Sequence, residues 1–334
     1  MKGANWERPV AILTILPAIL AIAYFVYYFI GYTVWVSLTN WRSATPDFTL
    51  VGFQNFQRMF FGLGIDTTRF YIDLRNFFGF TALFLAACII IGFGLATVID
   101  HHIRAESFFR SVFLLPMAIS FIVTGVVWRW LLTPGTPELG NTGVNKLFEM
   151  VGLGFIRPRW FTDPTVLHID ASSGLGQFLS GIGLDGLTST NIGISVGVFS
   201  IVIAATWQLS GYVMALYLAG LRSVPDELRE AARVDGASEF QIYRHIIIPL
   251  MTPVTLSAVV ILTHISLKIY DLVVSMTGVG PGFATDTLAY NMFETTFKSA
   301  RFAQGAAIAV FLLILVAILI VPYLRWNLRQ EVSA

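Results

Sequence analysis

The chain has few charged residues for its length. Of its 334 residues, 12% are Asp, Glu, Lys or Arg and 56% are hydrophobic, whereas soluble proteins have about 25% charged residues. So few charges cannot cover the surface of a soluble protein of this size, and the hydrophobic content excludes intrinsic disorder. The net charge of +1 gives no basic field that indicates nucleic-acid binding. The single cysteine, Cys88, excludes an intrachain disulfide framework.

Long apolar runs take up much of the remaining sequence. A helix of about 20 apolar residues crosses the ~30 Å hydrocarbon core of a bilayer, and six runs are long enough. We therefore predict an all-α, polytopic membrane protein with six transmembrane helices. The predicted spans are Val10–Val36, Phe77–Ile99, Val112–Leu132, Ile194–Ala219, Val254–Met276 and Gly305–Leu324.

Six crossings put both termini on the same side of the membrane. If that side is the cytoplasm, the inner segments hold ten Lys and Arg residues in 64 positions, and the outer loops hold nine in 128. The higher density of basic residues inside predicts cytoplasmic termini. The longest outer loop, 133–193, is rich in Gly, Ser and Pro, and we interpret it as an extracytoplasmic insertion in a single membrane domain, 1–334.

The longest inner loop, 221–253, carries the signals of a short helix. Ser223 precedes Asp226 by three residues, which is typical of a capped helix start, and Pro225 suits the first turn. Gly236 is placed to end this helix. The sequence therefore predicts a helix that projects from the membrane and ends at a glycine corner.

A second short helix follows that corner. Apolar residues at helical spacing predict it over 237–247, and Pro249 and Pro253 are expected to stop it before the fifth span. Two short helices in this position can dock onto a partner protein or lie on the lipid surface as an amphipathic loop.

The first helix has features that suit docking. Ala231 and Ala232 have little bulk, so a partner can approach closely. The side chains of Glu230 and Asp235 offer hydrogen-bond acceptors at the contact. These features suit a protein partner, and the pattern alone leaves the lipid-surface alternative open.

The same loop resembles a known signature. Glu230-Ala231-Ala232, then Gly236, then Ile246-x-Ile248-Pro249 is similar to the EAA motif of the permease subunits of ABC importers, although that motif has Leu where this chain has Ile248. The segment Arg233-Val-Asp-Gly-Ala237 extends the resemblance to the carbohydrate-uptake branch of the family, the maltose and glucoside type.

The resemblance implies a type I ABC importer permease in a bacterial or archaeal cytoplasmic membrane. It implies three partners: a second homologous permease, a cytoplasmic ATPase dimer that holds ATP and Mg²⁺, and an extracytoplasmic substrate-binding protein. The chain itself is then not an enzyme and holds no cofactor or metal. The expected coupling residues are Glu230, Ala231, Ala232, Asp235, Gly236, Ala237 and Pro249.

Polar residues inside predicted spans are candidates for the substrate path, because polar groups in a membrane usually face a cavity or another helix. In the fourth span these are Trp207, Gln208 and Tyr212, which offer the aromatic faces and uncharged hydrogen-bonding groups that a sugar needs. In the fifth span the spacing places His264, Lys268 and Asp271 on one helical face. The same residues can instead pack one permease against the other, with Lys268 and Asp271 as a structural ion pair.

The transported solute is expected to be a mono- or oligosaccharide or a glucoside, and glycerol-phosphate is the alternative within the same architecture. Two other classes stay open from the residues alone. An ion-coupled secondary transporter would need acidic residues deep in two related halves, and only Asp271 lies deep. An intramembrane enzyme would have only Ser195 and His264 as candidates for its nucleophile and base.

Overall fold

A computed structural model describes residues 7–101, 104–136, 138, 140–184, 189 and 192–333. Its regular structure is almost entirely helical. Among the residues described, four helices are long and apolar enough to cross a membrane, and two bent helix pairs bring the number to six if each pair is one span. The predicted all-α fold is confirmed. The four helices are Ile12–Ser37, Ile65–Asp100, Val196–Leu221 and Phe302–Pro322.

The remaining helices are short and belong to the bent pairs or to the loops. The α-helices outside the four long ones are Gln54–Phe61, Glu106–Leu114, Phe121–Leu132, Gly143–Met150, Gly174–Gly181, Asp226–Val234, Glu239–Ile242, Ile248–Leu250, Thr252–Leu267, Asp271–Met276 and Leu288–Phe293. Single turns of 3₁₀-helix lie at Leu115–Ala118, Trp160–Thr162 and Pro281–Phe283, and π-helical turns lie at Ala23–Tyr28, Tyr243–Ile247 and Glu294–Lys298.

The loop 133–193 carries the first strand of a small sheet. Strand Val166–Leu167 pairs antiparallel with strand Ile194–Ser195, with Val166 opposite Ser195. The second strand leads directly into the helix Val196–Leu221. The pair therefore ties the loop to the start of that helix.

The chain forms two compact units. One contains the chain up to Thr67 together with Asn291–Leu315, and the other contains Thr68–Tyr290 with the chain from Val316 onward. In the first unit, the buried Asn55 amide donates to the carbonyl oxygens of Ser37 and Thr39, both at 2.8 Å. These bonds fix the helix Gln54–Phe61 against the end of the first span.

The helix Val196–Leu221 is the centre of the second unit. In an apolar 18-residue stretch of this helix 67% of the residues are buried, the largest such share among the four long helices. Glycines allow its neighbours to approach closely, as is common between membrane helices. A Cβ atom on Gly211 would overlap the carbonyl oxygen of Phe113, and one on Gly92 of the second span would press on Val213.

The third span is not the continuous helix Val112–Leu132 that the sequence predicts. Its two halves, Glu106–Ala118 and Phe121–Leu132, meet at a bend of 98°. Pro116 lies in a 3₁₀ turn before the break, and Ser120 caps the second half by accepting a hydrogen bond from the Val123 N–H at 3.3 Å. Proline and a capping serine end one helix and begin another, which the apolar composition alone did not reveal.

Candidate coupling surface and substrate path

The helix Asp226–Val234 begins and ends in the inner loop near the predicted positions. Its first-turn residues, Asp226 and Glu227, lie where negative charge suits the helix dipole. The predicted serine cap is wrong: Pro225 occupies the cap position without a side-chain cap bond. The Ser223 hydroxyl donates instead to the carbonyl of Gly220 at 2.7 Å, in the turn that follows the preceding helix.

Gly236 forms the corner after this helix. Its φ of +82° lies in the left-handed region that glycine adopts without steric penalty. The next N–H, that of Ala237, donates to the carbonyl of Ala232 at 2.9 Å, and the Gly236 N–H donates to Arg233 at 3.0 Å. This pair of bonds is a Schellman end, as the sequence predicts from the glycine.

The second short helix begins at Glu239, with Ser238 as its cap residue, rather than at Ala237. Ser238 and Gln241 form a reciprocal capping box, which satisfies two N–H groups at the helix start. The helix runs through a π-turn to Leu250 and then bends by 61° into Thr252–Leu267. Pro249 lies one residue before that end, and Pro253 lies in the first turn of the following helix.

The corner exposes small, acidic and apolar side chains together. Of the predicted coupling residues, Ala232 and Ala237 are half-buried against the core, and the others are exposed. The apolar Val234 and Phe240 are 87% and 70% exposed, so the corner offers apolar surface that a partner can cover. We call the exposed residues Glu230, Ala231, Val234, Asp235 and Phe240 the coupling surface.

An ion pair crosses the corner on its exposed side. The guanidinium of Arg233 donates to the carboxylate of Glu239 at 2.8 Å. This hydrogen bond raises the pKa of Arg233 above its ordinary value. Both side chains are more than half exposed, so the pair contributes little to stability.

The fourth-span candidates have different environments. Trp207 is 42% exposed and packs edge-on against Trp128 with ring centroids 5.9 Å apart. Tyr212 is half-buried. Gln208 is buried, and its amide donates to the carbonyl of Ile119 at 2.7 Å. Gln208 therefore supports the break in the third span, whereas Trp207 and Tyr212 keep surface available for a solute.

The fifth-span candidates do not lie on one continuous helix, so that prediction is wrong. The helix Thr252–Leu267, which contains His264, ends before Lys268, and a new helix begins at Asp271. The Tyr270 N–H donates to the Lys268 carbonyl at 2.7 Å in the tight turn between them. Lys268 and Asp271 are exposed and make no ion pair with each other in the described part of the chain.

Comparison with known proteins identifies the family. Residues 88–330, more than half of the chain, match the model of the binding-protein-dependent transport system inner membrane component. The chain belongs to this family. It is therefore a permease subunit of an ABC importer, as the EAA-like loop predicts.

Relatives of this permease cover nearly its whole length. It is 36% identical over 325 residues to a probable ABC transporter permease protein of Pyrococcus horikoshii, covering 97% of this chain and 98% of the relative. It is 31% identical over 302 residues to the xylose/arabinose import permease protein XacH of Haloferax volcanii, covering 90% and 82%.

A solved structure shares the fold of the permease. A chain of a bacterial ABC transporter involved in the import of the acidic polysaccharide alginate superposes with a TM-score of 0.71 at 17% identity, covering 97% of this chain and 96% of that chain.

Two ion pairs behind the coupling surface were not predicted from the sequence. Arg229 pairs with Asp100, and Arg222 pairs with Glu106, at 2.9 Å and 2.7 Å. Both partners lie more than a hundred positions away in sequence, so spacing gives no sign of the pairs. The available signal was Asp100 itself, because an acidic residue at the end of an apolar helix needs a cationic partner.

Replacing Gln208 distinguishes a structural role from a role in solute binding. We expect Gln208→Leu to lower the free energy of unfolding by about 1 kcal/mol, because the hydrogen bond to Ile119 is lost, and to leave KM for the transported solute unchanged. The measurements are thermal unfolding of the purified permease and uptake kinetics. The control is Tyr212→Phe. It removes a hydroxyl that does not support the break in the third span, so it should leave Tm unchanged. A normal Tm with a raised KM for Gln208→Leu would contradict the structural role.

Proposed function

We propose that this permease carries a sugar, either a mono- or oligosaccharide or a glucoside, across the cytoplasmic membrane of a bacterium or archaeon. Two observations support a sugar: the carbohydrate-type EAA segment of the inner loop, and the 31% identity to a xylose/arabinose permease. Trp207 and Tyr212 offer the aromatic surface that sugar rings favour. We assign them, with His264, Lys268 and Asp271, to the solute path.

The coupling surface docks onto a cytoplasmic ABC ATPase dimer. Its small side chains allow close approach, its acidic groups suit basic partners, and Val234 and Phe240 supply the apolar contact. The observation that carries this assignment is the exposed apolar pair beside the acidic EAA-type helix. ATP and Mg²⁺ are held by the ATPase subunits, and closure of that dimer moves the membrane helices between inward- and outward-facing states.

Two further partners complete the importer. An apolar 18-residue stretch of the first span, Ile12–Ser37, has no residue buried within this chain, although Val36 and Ser37 at the end of the span are buried; lipid and a second, homologous permease are the partners of the exposed stretch. An extracytoplasmic binding protein delivers the solute, in keeping with the family's description. With this arrangement both termini lie in the cytoplasm and 133–193 is an extracytoplasmic insertion.

A ligand panel tests the substrate class. The complex is purified with its binding protein and reconstituted, and its ATPase activity is measured with pentoses, maltose-type disaccharides, glucosides and glycerol-phosphodiesters. We expect at least one sugar to raise ATPase activity several-fold and the phosphodiesters to leave it at the basal rate. Stimulation by phosphodiesters alone would contradict a sugar substrate.

A charge reversal tests the coupling surface. We expect Glu230→Lys to reduce uptake at least tenfold and to weaken co-purification of the ATPase, because the new cation opposes the basic groups that an acidic surface attracts. Insertion of the permease into the membrane should persist.

Glu149→Lys is the matched control, since it makes the same charge change at an exposed helix residue of the loop 133–193. It should leave ATPase binding normal. Normal uptake and normal ATPase co-purification in Glu230→Lys would exclude the docking role.

A further inference from the structure

The side chain of Arg229 lies on the side of the helix Asp226–Val234, here called the coupling helix, that faces the ends of two membrane spans. It precedes Glu230 by one residue, and successive side chains of an α-helix point about 100° apart, so Glu230 faces outward while Arg229 turns inward. Its side chain is 17% exposed. Arg229 is therefore not part of the coupling surface that meets an ATPase.

Arg229 contacts the ends of two membrane helices. One guanidinium nitrogen, Nη1, lies 2.9 Å from Oδ2 of Asp100, the last residue of the helix Ile65–Asp100. The other, Nη2, donates at 3.3 Å to the carbonyl of Leu221, the last residue of the helix Val196–Leu221. One side chain of the coupling helix thus holds the cytoplasmic ends of the second and fourth spans.

The position of Asp100 supports a dedicated partner. A carboxylate at the C-terminal end of a helix faces the negative end of the helix dipole and is unfavourable there without a cation. Asp100 is also almost fully buried, with its side chain 7% exposed. Arg229 supplies the charge that Asp100 needs, and it also donates to the carbonyl of Leu221, which accepts a second hydrogen bond from the Val224 N–H.

The contact with Asp100 joins the coupling helix to the second span, which is not its neighbour in the sequence. Asp100 and Arg229 are 129 positions apart. The backbone joins the coupling helix to the fourth span before it and to the bent helix pair after it, but the second span has no such connection. A movement of the coupling helix therefore reaches the second span directly through this side chain.

We propose that Arg229, Asp100 and the Leu221 carbonyl form a bridge that transmits movement of the coupling helix to the second and fourth spans together. Arg229 is a positioning residue: it touches neither the solute nor the ATPase, and it acts through the two helices it holds. The proposal rests on the proposed function, because transmission has meaning only if an ATPase moves the coupling helix. Loss of the bridge should let ATP be hydrolysed without transport.

The test compares two arginines of the same helix. The full complex, with ATPase and binding protein, is reconstituted in proteoliposomes, and moles of solute transported per mole of ATP hydrolysed are measured. Arg229→Gln removes the buried bridge. Arg233→Gln is the matched control, because it breaks an ion pair of similar length, 2.8 Å, whose side chains are 53% and 56% exposed.

We expect Arg229→Gln to lower the transport-to-ATP ratio at least tenfold and Arg233→Gln to change it less than twofold. The exchanged pair Asp100→Arg with Arg229→Asp should restore the ratio to at least a third of the unaltered value, since the opposite charges meet again. Equal ratios in Arg229→Gln and Arg233→Gln would overturn the proposal.

The exchanged pair decides the matter if Arg229→Gln does not assemble. An assembled exchange variant with the ratio restored supports the bridge, and one with the ratio still lost contradicts it. If neither variant assembles, the pair serves folding and the proposal is wrong. If Glu230→Lys abolishes uptake while Arg229→Gln transports normally, the bridge proposal is wrong and the proposed function is supported. If the unaltered complex hydrolyses no ATP, the proposed function itself is wrong.

Discussion

The burial of the helix Val196–Leu221 is the constraint on which the loop 221–253 depends. Its small residues allow the first half of the third span to pack directly on it, with Gly211 against the Phe113 backbone. Its last carbonyl, that of Leu221, accepts a hydrogen bond from Arg229 of the coupling helix. The buried helix Val196–Leu221 therefore supports the short, exposed coupling helix. A force on the coupling helix is transmitted to the closely packed residues at the centre of the second unit.

Breaks in the membrane helices account for the polar residues inside the spans. Backbone groups within a bilayer must find partners in the protein, so a helix can break only where a side chain or a cavity satisfies them. Gln208 provides such a partner at the carbonyl of Ile119. Another break lies in the predicted fifth span, between Leu267 and Asp271. The side chains of Lys268 and Asp271 are exposed there and are not packed within this chain. Polar residues that look alike in sequence thus have different environments: Gln208 supports a break, and the exposed ones are those that we propose for the solute path.

The sequence predicted the features that depend on local chemistry. Long apolar runs located the membrane helices, and Gly236 located the corner of the inner loop because few other residues adopt a φ of +82°. The EAA-like spacing of the loop 221–253 predicted the family of ABC importer permeases.

Features that depend on tertiary contacts could not be predicted in the same way. The 98° bend in the third span and the turn at Lys268 are invisible to apolar composition, which does not distinguish one long helix from two short ones. The Arg229 contact joins residues 129 positions apart, and only the packing of the second and fourth spans brings them together.

The central claim is that the corner after the coupling helix meets a separate ATPase. A photoreactive amino acid at Val234, which is 87% exposed, tests this in intact membranes, with the same group at Phe155 of the loop 133–193, 80% exposed, as the control. We expect the Val234 probe to cross-link to an ATPase subunit and the Phe155 probe not to. A Val234 probe that labels only lipid or nothing, in membranes where uptake is active, would contradict it.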